Sequence, residues 1–263
     1  MARVRKTMEQ LSSAVMHPWI TKLIEQPALP ALLEEKLPDV SNPWAISPDT
    51  ARLLAGLVLM RRPKHVLEFG AGASSLMLAH ALTHVGGGCL TAVEQSPQWC
   101  AQQWREVERL SAVDTAMIVG RPRLVIDRRG AYQGFPDAAS SLADRGPFDL
   151  VLIDAPQHYY GRDGSLHIAL QHLSPGALIV LDDATRAGER ATIRRWQDLY
   201  PGLSLVFMSP EHGRNGLAVF EFSGDPAVRP HPAIVLSSAI AAVRNWNRRR
   251  RKKLGEFHPE SVA

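Results

Sequence analysis

The chain has 263 residues, of which 45% are hydrophobic and 21% are charged, and its formal net charge at pH 7 is +4. This length allows one large domain or two small ones. The near balance of charge gives no chain-wide signal for nucleic-acid binding, and no apolar run reaches the length of a membrane-spanning helix. Cys89 and Cys100 provide no disulfide framework and fit a reducing compartment, so we expect a cytoplasmic protein.

Residues 1–47 are predicted to form an N-terminal helical cap. Apolar residues recur at helical spacing from Met8 to Ile24, and Pro18 divides them into two pieces. Two interpretations stay open: a cap that covers the sheet, or a lid or dimerisation arm that helps to bind the acceptor. An arm of the second kind would make the protein a homodimer. Ser47 followed by Pro48 then predicts the start of a helix, and with it a main domain over residues 48–222.

A strand, a glycine-rich turn and a helix follow one another in His65–Leu78, which reads H-V-L-E-F-G-A-G-A-S-S-L-M-L. The apolar run predicts a buried parallel strand, Gly70 and Gly72 form the turn, and a helix begins near Ser74. Such a unit directs unpaired backbone N–H groups out of the helix N-terminus, and glycine lets the backbone approach a ligand. A dinucleotide fingerprint would place a third glycine where Ser75 stands.

Two acidic residues at strand ends narrow the type of ligand. Glu68 precedes Gly70 by two residues, where a carboxylate repels a pyrophosphate and suits a cationic ligand. Glu94 ends the next apolar run, where a carboxylate can accept both hydroxyls of a ribose.

The two motifs together, E-F-G-A-G-A-S-S and A-V-E-Q, resemble the cofactor site of the class I S-adenosylmethionine-dependent methyltransferases. The resemblance implies S-adenosylmethionine as the cofactor, with its methionine portion on the glycine turn and its ribose on Glu94. The cofactor-binding residues that it implies are Glu68, Gly70, Ala71, Gly72, Ser74, Ser75, Glu94, Gln95 and Asp154.

Apolar runs and turn signals predict the other elements of this domain. The predicted strands are Cys89–Glu94, Thr115–Val119, Pro147–Asp154, Ala177–Asp182, Leu203–Ser209 and Gly216–Phe222. The predicted helices are Leu76–His84, one capped by Ser96 that ends at Leu110, Asp163–Leu173, and 186–200. Residues 120–146 are polar, and their arginines form either a solvated face or a contact for an acidic acceptor. These arginines are Arg121, Arg123, Arg128 and Arg129.

The connection between the last two strands has about six residues, which is too few for a crossover helix, so these strands must pair antiparallel. We therefore predict an α/β fold. Its doubly wound, mostly parallel seven-stranded sheet has an antiparallel last strand, which is the Rossmann-like arrangement of the methyltransferase family.

Three carboxylates follow the fourth and fifth strands: Asp154, Asp182 and Asp183. The stretches L-I-D-A-P-Q-H-Y-Y and L-S-P-G-A-L-I-V-L-D-D resemble the catechol and caffeoyl-CoA type of O-methyltransferase, which implies that these residues bind a divalent metal such as Mg²⁺. The family's lysine position holds Gln157, which cannot act as a base, so we expect Asp154 and His158 to be the catalytic residues. The alternative is a metal-free site, in which Asp154 binds the cofactor and an arginine such as Arg186 neutralises the carboxylates.

These motifs predict a methyltransferase that acts on a hydroxyl of a small-molecule acceptor. Two alternatives stay open: an RNA or other N-methyltransferase, and a catalytically silent binding protein with the same fold. The D-A-P-Q stretch differs from the N-P-P-Y-like motif of relatives that methylate adenine and cytosine, which disfavours nucleic acid as a partner. The intact pair of glycines and the two glutamates speak against loss of the cofactor.

Residues 223–263 are predicted to be a linker followed by a basic helix over Ala233–Leu254. The helix has apolar residues at helical spacing and ends in R-R-R-R-K-K. Three interpretations stay open: a solvated or disordered charge run, contact with an anionic membrane surface, or contact with phosphate.

Overall fold

The computed structural model describes residues 19–20, 23, 29–38, 45–210 and 215–251. Most of the predicted N-terminal helical cap, including Met8 and Pro18, lies outside the described residues. Of that segment, residues 19, 20 and 23 are helical, and Ile20 is fully buried against the main core. The division into a cap, a main domain and a tail stays a prediction.

Helices and strands alternate along the described chain. The helices are α1 (Ala31–Glu34), α2 (Pro48–Arg61), α3 (Ala73–His84), α4 (Ala101–Val107), α5 (Ala139–Ala143), α6 (Asp163–Ala169), α7 (Ala187–Leu199) and α8 (Pro232–Arg251). The strands are β1 (His65–Phe69), β2 (Gly88–Glu94), β3 (Val113–Val119), β4 (Arg123–Asp127), β5 (Gly130–Gly134), β6 (Phe148–Ile153), β7 (Leu173–Asp182), β8 (Leu203–Ser209) and β9 (Leu217–Phe222).

The seven-stranded sheet has the strand order β3-β2-β1-β6-β7-β9-β8. The neighbours from β3 to β7 are parallel, whereas β9 lies between β7 and β8 and runs antiparallel to both. The predicted mostly parallel sheet with an antiparallel last strand is confirmed. Its order reverses between β1 and β6, which is where α/β sheets of this kind bind ligands.

Apolar layers cover both faces of the sheet, because successive side chains of a strand point to opposite faces. Val66 of β1 packs in one layer with α2, α3 and α4, whereas Leu67 and Phe69 pack in the other with α6 and α7. Burial on both faces explains why these strands are continuous apolar runs. The start of α2 is also as predicted, since Ser47 Oγ accepts a hydrogen bond from the Thr50 N–H at 3.1 Å.

The polar stretch 120–146 contains a regular element that the sequence reading missed. β4 and β5 form a separate antiparallel hairpin. The sequence of this hairpin gives only a weak strand signal, because Leu124 and Ile126 of β4 do not point into a core. They are 55% and 74% exposed. Arg129 is not part of a solvated face, since it pairs with Asp127 and donates to the His167 carbonyl oxygen at 3.0 Å.

Two predicted boundaries are also wrong. Ser96 does not cap the α-helix, because its side chain makes no capping hydrogen bond and α4 begins only at Ala101, after a short 3₁₀ turn. β7 begins at Leu173, since this residue pairs with Phe148 before an irregularity in the ladder.

The basic C-terminal helix is present as α8 and packs against β5 and α7. Residues 252–254 of the predicted helix lie outside the described residues. In the described ranges, no helix is both long and apolar enough to cross a membrane.

Candidate active site

The glycine turn after β1 lies at the carboxyl edge of the sheet, between the ends of β2 and β6. Gly70 has φ +97°, a left-handed conformation that favours glycine. A Cβ at Gly70 would also lie 3.1 Å from Ala155 Cβ, so the turn packs closely on the chain that follows β6. Gly72 differs, because a Cβ there would meet nothing within 4 Å. The sequence motif therefore combines one glycine needed for the backbone with one that borders open space.

Glu68 is fully buried under this turn. Its two carboxylate oxygens accept hydrogen bonds from the hydroxyls of Ser74 and Ser75, the latter at 2.6 Å. Ser75 Oγ in turn accepts from the Gly72 N–H at 2.9 Å. Burial raises the pKa of Glu68 to about 8, against the lowering effect of the two serine hydroxyls. These contacts show how Glu68 shapes the turn, and direct contact of Glu68 or the serines with a cofactor stays a prediction.

Glu94 lies beside the turn at the end of β2. Its Oε2 accepts from the Ala71 N–H at 2.9 Å and its Oε1 accepts from the Ser96 N–H at 2.7 Å. Each oxygen keeps a further lone pair, so the carboxylate can still accept ribose hydroxyls. Gln95 Oε1 is buried and has no hydrogen-bond partner among the described residues. An unpaired buried acceptor in the residue after Glu94 is what a bound polar ligand would satisfy.

The three predicted metal ligands also converge. Asp154 follows β6 and Asp183 follows β7, and β6 and β7 are parallel neighbours. One carboxylate oxygen of each of Asp154, Asp182 and Asp183 lies within 4.8 Å of the others. The three carboxylates therefore lie together as the sequence predicts, and the groups that contact them decide what they can bind.

A guanidinium that no sequence motif indicates lies within this cluster. Arg162, which is 3% exposed, donates to Asp154 Oδ1 at 2.6 Å and to Asp183 Oδ2 at 3.0 Å through one nitrogen. Its other terminal nitrogen donates to the Asp182 carbonyl oxygen at 2.6 Å. Arg162 belongs to none of the motifs, and its only sequence signal is a cation placed directly before the helix that follows Asp154.

Further donors complete the surroundings of Asp183. Arg186 lies 2.7 Å from Asp183 Oδ2, and Asn215 donates to Asp183 Oδ1 at 2.9 Å. The alternative that an arginine such as Arg186 neutralises the cluster is therefore consistent with the geometry. Both oxygens of Asp183 are engaged by described residues.

Burial raises the pKa of the other two carboxylates of the cluster. It raises the pKa of Asp154, with a further rise from Asp183, against the lowering effect of Arg162. The pKa of Asp182 is also raised by burial and by its two acidic neighbours. Burial likewise raises the pKa of Glu189, whose Oε1 has no hydrogen-bond partner among the described residues. The cluster keeps a surplus of buried acid even with two arginines present.

The partners of Asp183 favour the metal-free alternative. A metal that used all three carboxylates would have to share Asp183 with the described side chains that already engage both of its oxygens. A buried guanidinium next to a divalent cation would also repel it strongly. The placement of Arg162 speaks for the metal-free alternative, and Mg²⁺ on Asp154, Asp182 and Asp183 stays a prediction.

The second predicted catalytic residue, His158, is exposed in the loop between β6 and α6, and its ring lies 5.3 Å from that of Tyr159. Its role as a base stays a prediction. His167, by contrast, is buried, and its Nδ1 lies 2.5 Å from the Tyr200 hydroxyl oxygen.

Comparisons with known proteins agree with this architecture. Residues 67–184 match a family model described as a methyltransferase domain. The chain is similar in structure to cofactor-bound Rv0187 from MTB, with 20% identity and a TM-score of 0.52 over 74% of this chain and 88% of that one. It is similar to an O-methyltransferase from Bacillus cereus in complex with SAH, with 20% identity and a TM-score of 0.52 over 74% of this chain and 92% of that one. No curated protein matches the sequence. Residues 67–184 are therefore similar to a methyltransferase domain, and the sheet has the Rossmann-like fold of these solved structures, as the sequence resemblance predicts.

Proposed function

We propose that this protein is an S-adenosylmethionine-dependent methyltransferase that methylates a hydroxyl of a small-molecule acceptor without a divalent metal. The observation that carries the proposal is the turn after β1, where Glu94 holds the Ala71 N–H beside the open space at Gly72. The structurally similar Bacillus cereus protein is named as an O-methyltransferase, which supports oxygen as the methylated atom.

The acidic cluster next to the turn suits two requirements of methyl transfer, which are a cationic cofactor and a group that accepts a proton from the acceptor. A methyl group leaves a positively charged sulfonium, and the acceptor hydroxyl must lose a proton. Asp154 adjoins the turn, since its N–H donates to the Phe69 carbonyl oxygen at 2.9 Å. Its carboxylate, with a raised pKa, is placed to accept a proton near neutral pH, and the surplus negative charge favours a cationic cofactor. Arg162 holds that carboxylate in place.

The experiment is a calorimetric titration of the protein with S-adenosylmethionine and with S-adenosylhomocysteine. We expect micromolar dissociation constants, which correspond to a binding free energy of about −8 kcal/mol. Glu94→Ala should weaken binding by about 1.5–3 kcal/mol, because the charge-assisted hydrogen bonds to the ribose are lost. Glu106→Ala, which removes an exposed carboxylate from α4, is the matched control and should bind as the wild type does.

Melting curves of both variants establish that they are folded. Absence of binding by the folded wild type, or tight binding of NAD in its place, would contradict the proposed function. Equal binding by the two variants would remove Glu94 from the cofactor site.

A further inference from the structure

Exposed apolar side chains are concentrated on α8. Of the ten large apolar side chains that are exposed in the described residues, five lie on this helix: Val235, Leu236, Ile240, Val243 and Trp246. Leu236, Ile240 and Val243 are four and three residues apart, which places them within about 60° of one another around the helix axis. They are 63%, 51% and 59% exposed. A continuous apolar stripe therefore faces away from the protein, and we call these three residues the outer stripe.

The opposite face of α8 holds the helix on the domain. Ile234 and Ser238 are buried, and Ser238 Oγ accepts from the Ala131 N–H of the hairpin at 3.0 Å. Asn245 donates to the Tyr160 carbonyl oxygen at 3.1 Å, and the Arg249 guanidinium lies 4.5 Å from the Tyr160 ring centre. The inner face of α8 thus packs on the domain, whereas each side chain of the outer stripe stays more than half exposed.

The charge around the outer stripe is of one sign. Residues 226–255 contain eight lysines and arginines and no aspartate or glutamate, and residues 248–253 are six basic residues in a row. Arg244, Arg248 and Arg250 are exposed on the same helix, and the Arg250 guanidinium lies 4.7 Å from the Trp246 ring centre. A partner with the same charge, such as the same face of a second copy, would be repelled.

We propose that the outer stripe and the neighbouring arginines of α8 dock on an anionic lipid surface. A helix with an apolar stripe and a basic flank lies in the plane of such a surface, with its apolar side chains at the boundary of the acyl chains. Tryptophan is enriched at that depth, which suits Trp246. The inner face contacts Tyr160 in the loop that carries Arg162, so docking holds this loop about one helix diameter, about 10 Å, from the lipid.

The test is co-sedimentation of the full chain with vesicles of phosphatidylcholine that contain about 30% phosphatidylserine, and with vesicles of phosphatidylcholine alone. Binding should require phosphatidylserine and should fall as salt rises from about 50 to about 500 mM. The double variant Arg248→Gln/Arg250→Gln should bind about 30-fold more weakly, since each basic residue near the surface contributes a factor of about five. Serine substitution at all three outer-stripe positions should weaken binding at least about tenfold.

Two control variants remove the same groups elsewhere on the surface. The pair Arg109→Gln/Arg194→Gln removes two exposed arginines, and Leu32→Ser removes a leucine that is 56% exposed. Both should bind as the wild type does. All substituted positions are exposed, so unchanged melting curves are expected and serve as the check of folding.

Three results would overturn the proposal. The first is a lack of lipid or site specificity. This would be seen as equal binding to vesicles with and without phosphatidylserine, or as control variants that lose as much vesicle binding as the α8 variants do. The second is dimerisation by light scattering that the outer-stripe variant abolishes, with no vesicle binding, which would assign the stripe to a second copy. The third is retention of RNA in a gel shift without vesicle binding, which would assign the arginines to nucleic acid.

Discussion

Arg162 and Asp163 are adjacent in the chain but belong to two different ionic clusters. The clusters differ in whether every carboxylate is paired with a positively charged side chain. Asp163 points towards α7, where Arg195 donates to both of its oxygens, at 2.6 and 2.8 Å, and Thr192 donates to one at 2.8 Å. Burial alone would raise the pKa of Asp163, but Arg195 and Thr192 lower it below the usual value. Its charge is fully matched, and the cluster fixes α6 to α7.

Arg162 points the other way, into the acidic cluster at the carboxyl edge of the sheet. In this cluster the carboxylates outnumber the arginines that pair with them. The pKa values of Asp154 and Asp182 are raised, chiefly by burial, although Arg162 lowers both. Arg162 Nε and Glu189 Oε1 are buried without a partner among the described residues. A paired cluster is typical of structural packing, whereas a buried surplus of acid is typical of a site that binds charge or moves a proton. Three measurements separate these two roles.

The largest effect on stability is expected in the matched cluster. Arg195→Met leaves Asp163 buried without its cation, which should lower the free energy of unfolding by about 3–5 kcal/mol. Urea unfolding measures the change, and Arg194→Met, on the exposed side of the same helix, should stay within about 0.5 kcal/mol of the wild type. If the two variants were equally stable, Asp163 and Arg195 would not be a structural pair.

A second effect, which depends on pH, is expected at Glu68, a buried acid of the site whose side-chain hydrogen-bond partners in the described part of the chain are two hydroxyls. Its pKa rises from 4.5 to about 8 on folding, so the folded protein holds this proton more tightly than the unfolded chain does. The stability that it contributes is present below about pH 4.5 and is lost as pH rises to about 8, at up to about 1.4 kcal/mol per pH unit. Glu68→Gln cannot titrate and should remove this slope.

Urea unfolding of the wild type and of Glu68→Gln at a series of pH values tests this expectation. Glu106→Gln, at an exposed carboxyl of α4, is the control that should keep the wild-type slope. Parallel stability profiles of the wild type and Glu68→Gln would mean that Glu68 is ionised throughout.

The sheet could be predicted from sequence because its strands are buried on both faces and appear as apolar runs. The short connection between β8 and β9 also determined the antiparallel last strand. The β4–β5 hairpin could not be predicted, since Leu124 and Ile126 are exposed and show no binary pattern against a core. Local pattern therefore predicts an element well only where burial imposes that pattern.

The site was predicted in part for a related reason. Glu68, Glu94 and Asp154 end strands, and parallel strands bring their carboxyl ends together, so periodicity alone placed them at one edge. Arg162 reaches the cluster from a helix start, and no spacing rule connects it to Asp183, which is 21 residues away. The partners of a buried charge depend on three-dimensional packing, and for this reason the sequence could indicate the three carboxylates but not the guanidinium that lies among them.

The most direct measurement is a titration of the wild type with Mn²⁺, a paramagnetic probe for hard-cation sites, followed by electron paramagnetic resonance. With Arg162 in the cluster, we expect no stoichiometric site tighter than about 1 mM, whereas Arg162→Gln should bind one Mn²⁺ at least about tenfold more tightly because the competing cation is gone. Arg194→Gln, which removes an exposed arginine, should behave as the wild type does. One equivalent of Mn²⁺ bound by the wild type at micromolar concentration, and lost in Asp182→Asn, would show that the cluster is a metal site and that Arg162 does not take the place of the ion.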